Sequence, residues 1–173
     1  MSDLTGKSVL VFAADLFEES ELLYPVHRLR EEGADVIVAS PGGKAVSGKR
    51  GYGPMPVSAA LTDVKEPDFD AVVVPGGFAP DALRKDDDAL DLLRAFDTAG
   101  KPVAFICHAG WVPISAKIID GRRATSVATI KDDMINAGVD WVDEECVVDG
   151  NMISARTPAD LGPWMKALIS ALR

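Results

Sequence analysis

Four short apolar runs, Ser8-Val-Leu-Val-Phe-Ala13, Asp35-Val-Ile-Val-Ala-Ser40, Asp70-Ala-Val-Val-Val-Pro75 and Pro102-Val-Ala-Phe-Ile106, alternate with segments whose apolar residues recur at helical spacing. A strand that is apolar at every position needs cover on both faces, so the pattern specifies a parallel sheet between two helical layers. Leu22, Leu23, Val26 and Leu29 mark the first helix and complete a βαβ unit, and Leu90, Leu93 and Phe96 mark another over residues 86–99. Further on, the spacing predicts a short helix reaching Ala116, a basic turn at Gly121-Arg122-Arg123 and a helix over Lys131–Ala137. Strands over Glu145–Asp149 and Met152–Arg156 are joined by a turn at Gly150-Asn151, and a last helix covers Ala159–Leu172. The glycines and prolines between Pro41 and Pro56 read as a surface loop or small hairpin, not a linker, so residues 1–173 are expected to form one domain.

A hydrophobic content of 47% over 173 residues supports a sizeable core and leaves no case for disorder. The net charge of −9 repels nucleic acid and anionic membranes, which leaves small molecules or proteins as partners. No apolar stretch approaches a membrane span and Met1-Ser-Asp-Leu-Thr-Gly-Lys7 has no signal core, so a cytoplasmic location is expected. The two cysteines, Cys107 and Cys146, show no Cys-x-x-Cys spacing, and with only two histidines no metal is expected. No Gly-x-Gly-x-x-Gly or Gly-Lys-Ser/Thr follows a strand, so no nucleotide or other cofactor is indicated.

Ligand sites in open α/β sheets form beyond the carboxyl ends of the strands, and three segments end there with chemically distinctive residues. The strand over residues 102–106 stops at Cys107-His108. A thiol where a helix begins meets unpaired N–H groups and the positive end of the dipole, which favour the thiolate and a nucleophilic role. A small core hydrophobe is the competing reading of Cys107. After the first strand, Glu18 and Glu21 stand three apart, on one helix face if the turn is helical, either as inward-pointing carboxyl groups or as first-turn acids. Pro25 deprives the Glu21 carbonyl of its usual donor, so the helix is expected to kink or to start there. After the third strand, Gly76 and Gly77 permit close backbone approach or positive φ, serving either an oxyanion or a plain turn. Arg156 suits either an anionic substrate group or a structural ion pair.

In its markers and their order, nearly the whole chain resembles the PfpI-type intracellular proteases and general stress proteins of the ThiJ/PfpI superfamily. The markers are Phe17-Glu-Glu-Ser-Glu-Leu-Leu-Tyr-Pro25, Val74-Pro-Gly-Gly77, Ala104-Phe-Ile-Cys-His108, Ile130-Lys-Asp-Asp133, Asn136-Ala-Gly138, Val148-Asp-Gly-Asn151 and Ser154-Ala-Arg-Thr-Pro158. The resemblance implies a flavodoxin-like three-layer α/β/α sandwich with a mainly parallel sheet, similar to class I glutamine amidotransferases. It implies Cys107 at a strained nucleophile elbow, Glu21 as its carboxyl partner, Glu18 as a second pocket acid and His108 as general acid or base. Gly77 and His108 would supply oxyanion N–H groups beside Gly76, and Asp81, where the protease-like branch often carries a glutamate, would face His108 of a neighbouring subunit. The expected substrates are peptides or reactive carbonyl compounds such as methylglyoxal, and the expected assembly is a homodimer or hexamer. A redox-sensing or holdase role for an oxidisable Cys107 is the alternative. Two departures stand out: Phe105 replaces the glycine preferred two residues before an elbow nucleophile, and Val127 stands where many members carry tyrosine.

Overall fold

The computed structural model describes residues 4–173. In chain order the elements are β1 (Ser8–Phe12), α1 (Glu19–Glu31), β2 (Asp35–Ser40), β3 (Ala59–Ala60), β4 (Ala71–Val74), α2 (Ala79–Leu83), α3 (Asp87–Thr98) and β5 (Val103–Ile106). They continue with α4 (Trp111–Ala116), β6 (Arg123–Ala124), α5 (Lys131–Asn136), β7 (Asp140–Trp141), β8 (Cys146–Asp149), β9 (Met152–Ala155) and α6 (Leu161–Leu172). Every residue of β4, β5 and β9 is buried, as strands covered on both faces must be.

The sheet has seven strands in the order β3-β2-β1-β4-β5-β9-β8, parallel throughout except where β8 runs antiparallel to β9. Its five longer parallel strands, β1, β2, β4, β5 and β9, follow the flavodoxin-like order 2-1-3-4-5. The expected α/β/α sandwich is therefore the observed fold. α1 packs beside α6 on one side, while α3 and α2 pack beside α4 on the other. Leu22 and Leu29 of α1, Leu93 and Phe96 of α3, and Trp164 and Leu168 of α6 are completely or almost completely buried. Each such side chain contributes roughly 1.5–3 kcal/mol of transfer free energy. α3 begins cleanly because the Asp86 side chain accepts the Ala89 N–H at 3.0 Å.

Several local expectations are corrected. α1 starts at Glu19 and runs through Pro25, which is buried within it, so the helix neither begins nor breaks there. Loss of one helical hydrogen bond is offset by burying the ring against the core. Of the two forms expected after Pro41, the small hairpin is the one observed, with Val46 and Met55 exchanging N–H to C=O bonds of 3.0 and 2.7 Å. β3, α2, and the separate parallel pair β6 and β7 were not foreseen, because elements of two to five residues are too short to carry a periodic signal. Among the described residues no helix is long and apolar enough to cross a membrane.

Candidate active site

β1 and β4 lie side by side where the strand order reverses, and β5 follows β4, so three carboxyl ends meet at the switch point of the sheet. The chain leaving β1 is laced to the chain leaving β4: Phe78 donates to the Leu16 carbonyl at 2.9 Å and Glu18 to the Gly76 carbonyl at 3.2 Å. This lacing delivers the start of α1 to the end of β4. Glu21, with 0% of its surface exposed, then accepts the Gly76 N–H through Oε2 at 2.8 Å.

Cys107 follows β5 at φ +64°, a left-handed conformation that costs a residue with a Cβ, and it opens a single helical turn before α4. Such a turn lifts the side chain out of the strand line, so the sulfur faces the Glu21 carboxyl group and the backbone N–H groups of His108 and Gly77. Gly76 makes the approach possible. A Cβ there would lie 2.5 Å from Glu21 Oε2 and 2.8 Å from Cys107 Cβ. Phe105 stands where an elbow glycine is expected, and the close approach is made instead at Gly76, just past the end of the neighbouring β4. Gly77, at φ +79°, would place a Cβ 2.4 Å from the Glu18 nitrogen.

The two carboxyl groups behave differently: Glu18 precedes α1 in extended backbone, so the expected shared helix face is not formed, and Glu21 lies in the first turn. Burial pushes the Glu21 carboxyl up to about 7, against the opposing Gly76 N–H bond and with help from the charge on Glu18. Burial also acts against the charge on Glu18, but Lys49 and Ser20 outweigh it and hold that group below its ordinary value. Lys49 Nζ lies 2.6 Å from Glu18 Oε2, and Ser20 Oγ donates to Oε1 at 3.0 Å. The expected amide-stabilised thiolate is corrected in part. The N–H groups of His108 and Gly77 pull the Cys107 thiol down, yet burial and an ionised Glu21 outweigh them and push it up to about 12. Cys107 and Glu21 therefore compete for a proton, and the thiolate is favoured only while Glu21 keeps its own.

His108 Nδ1 lies 3.3 Å from Cys107 Sγ, and burial, followed by the Lys49 charge, lowers its pKa, so the ring is neutral at neutral pH. Thr129 Oγ1 lies 3.2 Å from Nε2 of the same ring. Asp81 sits exposed in the first turn of α2, and no hydrogen bond or ion pair joins it to His108 among the described residues. Arg156 directly follows β9, beside β5, but its guanidinium is committed to Asp160 at 2.8 and 3.1 Å and to Asp143 at 2.8 Å. Those carboxylates raise its pKa further, in keeping with the structural-pair reading. Sequence reasoning missed Lys49 and Thr129. Lys49 arrives on the hairpin loop, tied by its N–H to the Phe17 carbonyl at 2.9 Å, and nothing local marks either residue. No group of three or more His, Cys, Asp or Glu side chains that could hold a metal ion occurs among the described residues.

A thiol on a left-handed strand-to-helix turn, flanked by carboxyl and imidazole at the switch point of a flavodoxin-like sheet, defines a class of cysteine-centred α/β proteins. The DJ-1/PfpI family profile matches residues 7–171, and the chain belongs to that family. It is 50% identical over 165 residues to a deglycase of Pyrococcus abyssi, covering 95% of this chain and 99% of that one. General stress protein 18 of Bacillus subtilis is 40% identical over 169 residues, covering 96% and 98% of the two chains. The crystal structure of DJ-1beta from Drosophila melanogaster superposes with a TM-score of 0.90 at 32% identity, covering 96% of this chain and 90% of that one.

Proposed function

We propose that the protein is a cysteine-dependent stress-response enzyme that acts on reactive carbonyl compounds, adding Cys107 to glyoxals or to the carbonyl carbon of glycated groups. The observation that carries this reading is the placement of the Cys107 sulfur 3.3 Å from His108 Nδ1, against the Glu21 carboxyl group and two backbone N–H groups. A C–S bond forms as the carbonyl π pair moves onto oxygen. The thiol proton passes to His108 Nδ1, and the developing oxyanion takes up the Gly77 and His108 N–H groups, with Gly76 lining the approach. Protonated Glu21 steadies the thiolate before attack, while ionised Glu18, held by Lys49, stays charged beside it.

Only 8% of Cys107 is exposed, which favours a compact aldehyde over an extended peptide. The deglycase name carried by relatives such as that of Pyrococcus abyssi supports the same choice. A thiol of this kind has to stay reduced, so we place the protein in the cytoplasm, and we assign it a homo-oligomeric assembly in which Asp81 of one copy faces another.

Turnover of methylglyoxal, a glycated peptide and a fluorogenic peptide is measured for wild type, Cys107→Ala, Glu21→Gln and His108→Ala. The expected result is Cys107-dependent turnover of the first two, with loss in Cys107→Ala of about 10³-fold or more. Fluorogenic peptide cleavage exceeding both would make the protein a peptidase. Absence of Cys107-dependent turnover on all three would make Cys107 a redox sensor, oxidised without substrate.

A further inference from the structure

His108 is held on every polar edge of its ring. Nδ1 faces Cys107 Sγ at 3.3 Å, Nε2 faces Thr129 Oγ1 at 3.2 Å, and the ring meets Trp111 edge-on with centroids 5.3 Å apart. Trp111 is fixed in turn, since its Nε1–H donates to Asp133 Oδ2 at 2.8 Å and the Arg84 guanidinium lies 5.3 Å from its ring centroid. A neutral imidazole carries a single N–H. For Nδ1 to take the thiol proton, its lone pair must face the sulfur, so the hydrogen must sit on Nε2.

We propose that Thr129 is the positioning residue for His108: its Oγ1 accepts the Nε2–H, fixes that tautomer and keeps the Nδ1 lone pair on the Cys107 sulfur. The inference rests on the carbonyl-addition reading above, because it gives His108 the thiol proton. The backbone is built for the contact. Thr129 lies in the single turn at 128–130 leading into α5, and that turn is tied to the nucleophile where the Val127 N–H donates to the Cys107 carbonyl at 3.4 Å. The hydroxyl and the sulfur therefore bracket the imidazole from one connected piece of backbone. Within the chain the group that faces Nε2 is the Thr129 hydroxyl, an uncharged acceptor that adds no charge to the ring.

The ring is observed directly by nitrogen-15 NMR of the full chain. With two histidines in the sequence, His27→Gln assigns the signals. Wild type should show His108 mainly as the Nε2–H tautomer. Thr129→Val should give a tautomer mixture and lower kcat for methylglyoxal about tenfold with KM changed less than about twofold, and Thr129→Ser should restore both. An Nδ1–H ring in wild type overturns the proposal. So does a Thr129→Val protein with tautomer and kcat unchanged, or a tautomer lost in Asp81→Asn instead, which would assign the orienting role to an acid of a second copy. Were wild type inactive on methylglyoxal, the carbonyl reading would fail by itself. The tautomer response to Thr129→Val and Thr129→Ser would still decide the role of Thr129.

Discussion

Cys107 and Glu21 share a buried space in which two negative charges repel, so their protons leave in two steps that belong to the pair. The first step falls near pH 7, where Glu21 has been pushed by burial, and the second near pH 12, where a thiol faces an already ionised carboxylate. The rate of Cys107 alkylation in wild type should therefore rise in two stages. Glu21→Gln removes the like charge and should leave one stage. A single stage in both proteins would show that the carboxyl group and the thiol do not communicate. The family resemblance singles out Glu21 over Glu18 as the partner of the thiol, but does not say why it titrates near neutrality. Burial decides it: Glu18 has Lys49 at 2.6 Å, while Glu21 has one backbone N–H and a thiol.

At the scale of elements, the site depends on how closely β4, β5 and the start of α1 approach one another. Gly76 sets that distance, since an added Cβ would fall within 2.9 Å of Glu21 Oε2, Cys107 Cβ and the Ile106 carbonyl oxygen. Gly76→Ala should therefore cost about 1–3 kcal/mol in urea unfolding and abolish Cys107-dependent turnover, whereas an overpacked site that relaxed without harm would retain both. The loop carrying Lys49 is the second adjustable element. Lys49→Met leaves the Glu18 carboxylate buried beside Arg50, whose Nη2 stands 4.0 Å from Oε2. Stability at pH 7 should fall by about 1–3 kcal/mol, the lower end applying if Arg50 moves in, as measured by the same denaturation. The strands and long helices around this site were legible because their periodicity is local. The hairpin loop, α2 and the β6–β7 pair were not, because their positions are set by partners distant along the chain.

For the whole molecule, the strained site has a signature in the pH dependence of folding. Glu21 has an ordinary value of 4.5 in the unfolded chain and about 7 in the folded one, so between those pH values the folded state keeps a proton that the unfolded state has released. Stability from this group is undiminished below pH 4.5, falls as pH rises to 7 and stays reduced above it. Glu18 works in the opposite sense. Its depressed folded value stabilises the protein above the ordinary value of 4.5 and is lost on acidification. Glu21→Gln should gain stability relative to wild type between pH 4.5 and pH 8, by an amount on the order of 3 kcal/mol, read as the change in the unfolding difference between the two proteins. A difference independent of pH would mean that the carboxyl group is not raised in the folded state.

The amino-acid order by itself determined the layered α/β architecture, because continuous apolar strands and amphipathic helices follow from side-chain spacing alone. It also marked Cys107, His108, Glu18, Glu21, Gly76 and Gly77 as residues that strand ends would bring together. Tertiary structure decided that Glu21 keeps its proton to about pH 7, that Lys49 neutralises Glu18, that Arg156 is spent on Asp143 and Asp160, and that a threonine hydroxyl faces the far nitrogen of His108. Those facts depend on burial and on approaches of a few ångströms between segments tens of residues apart, and charge and proton affinity respond to that distance.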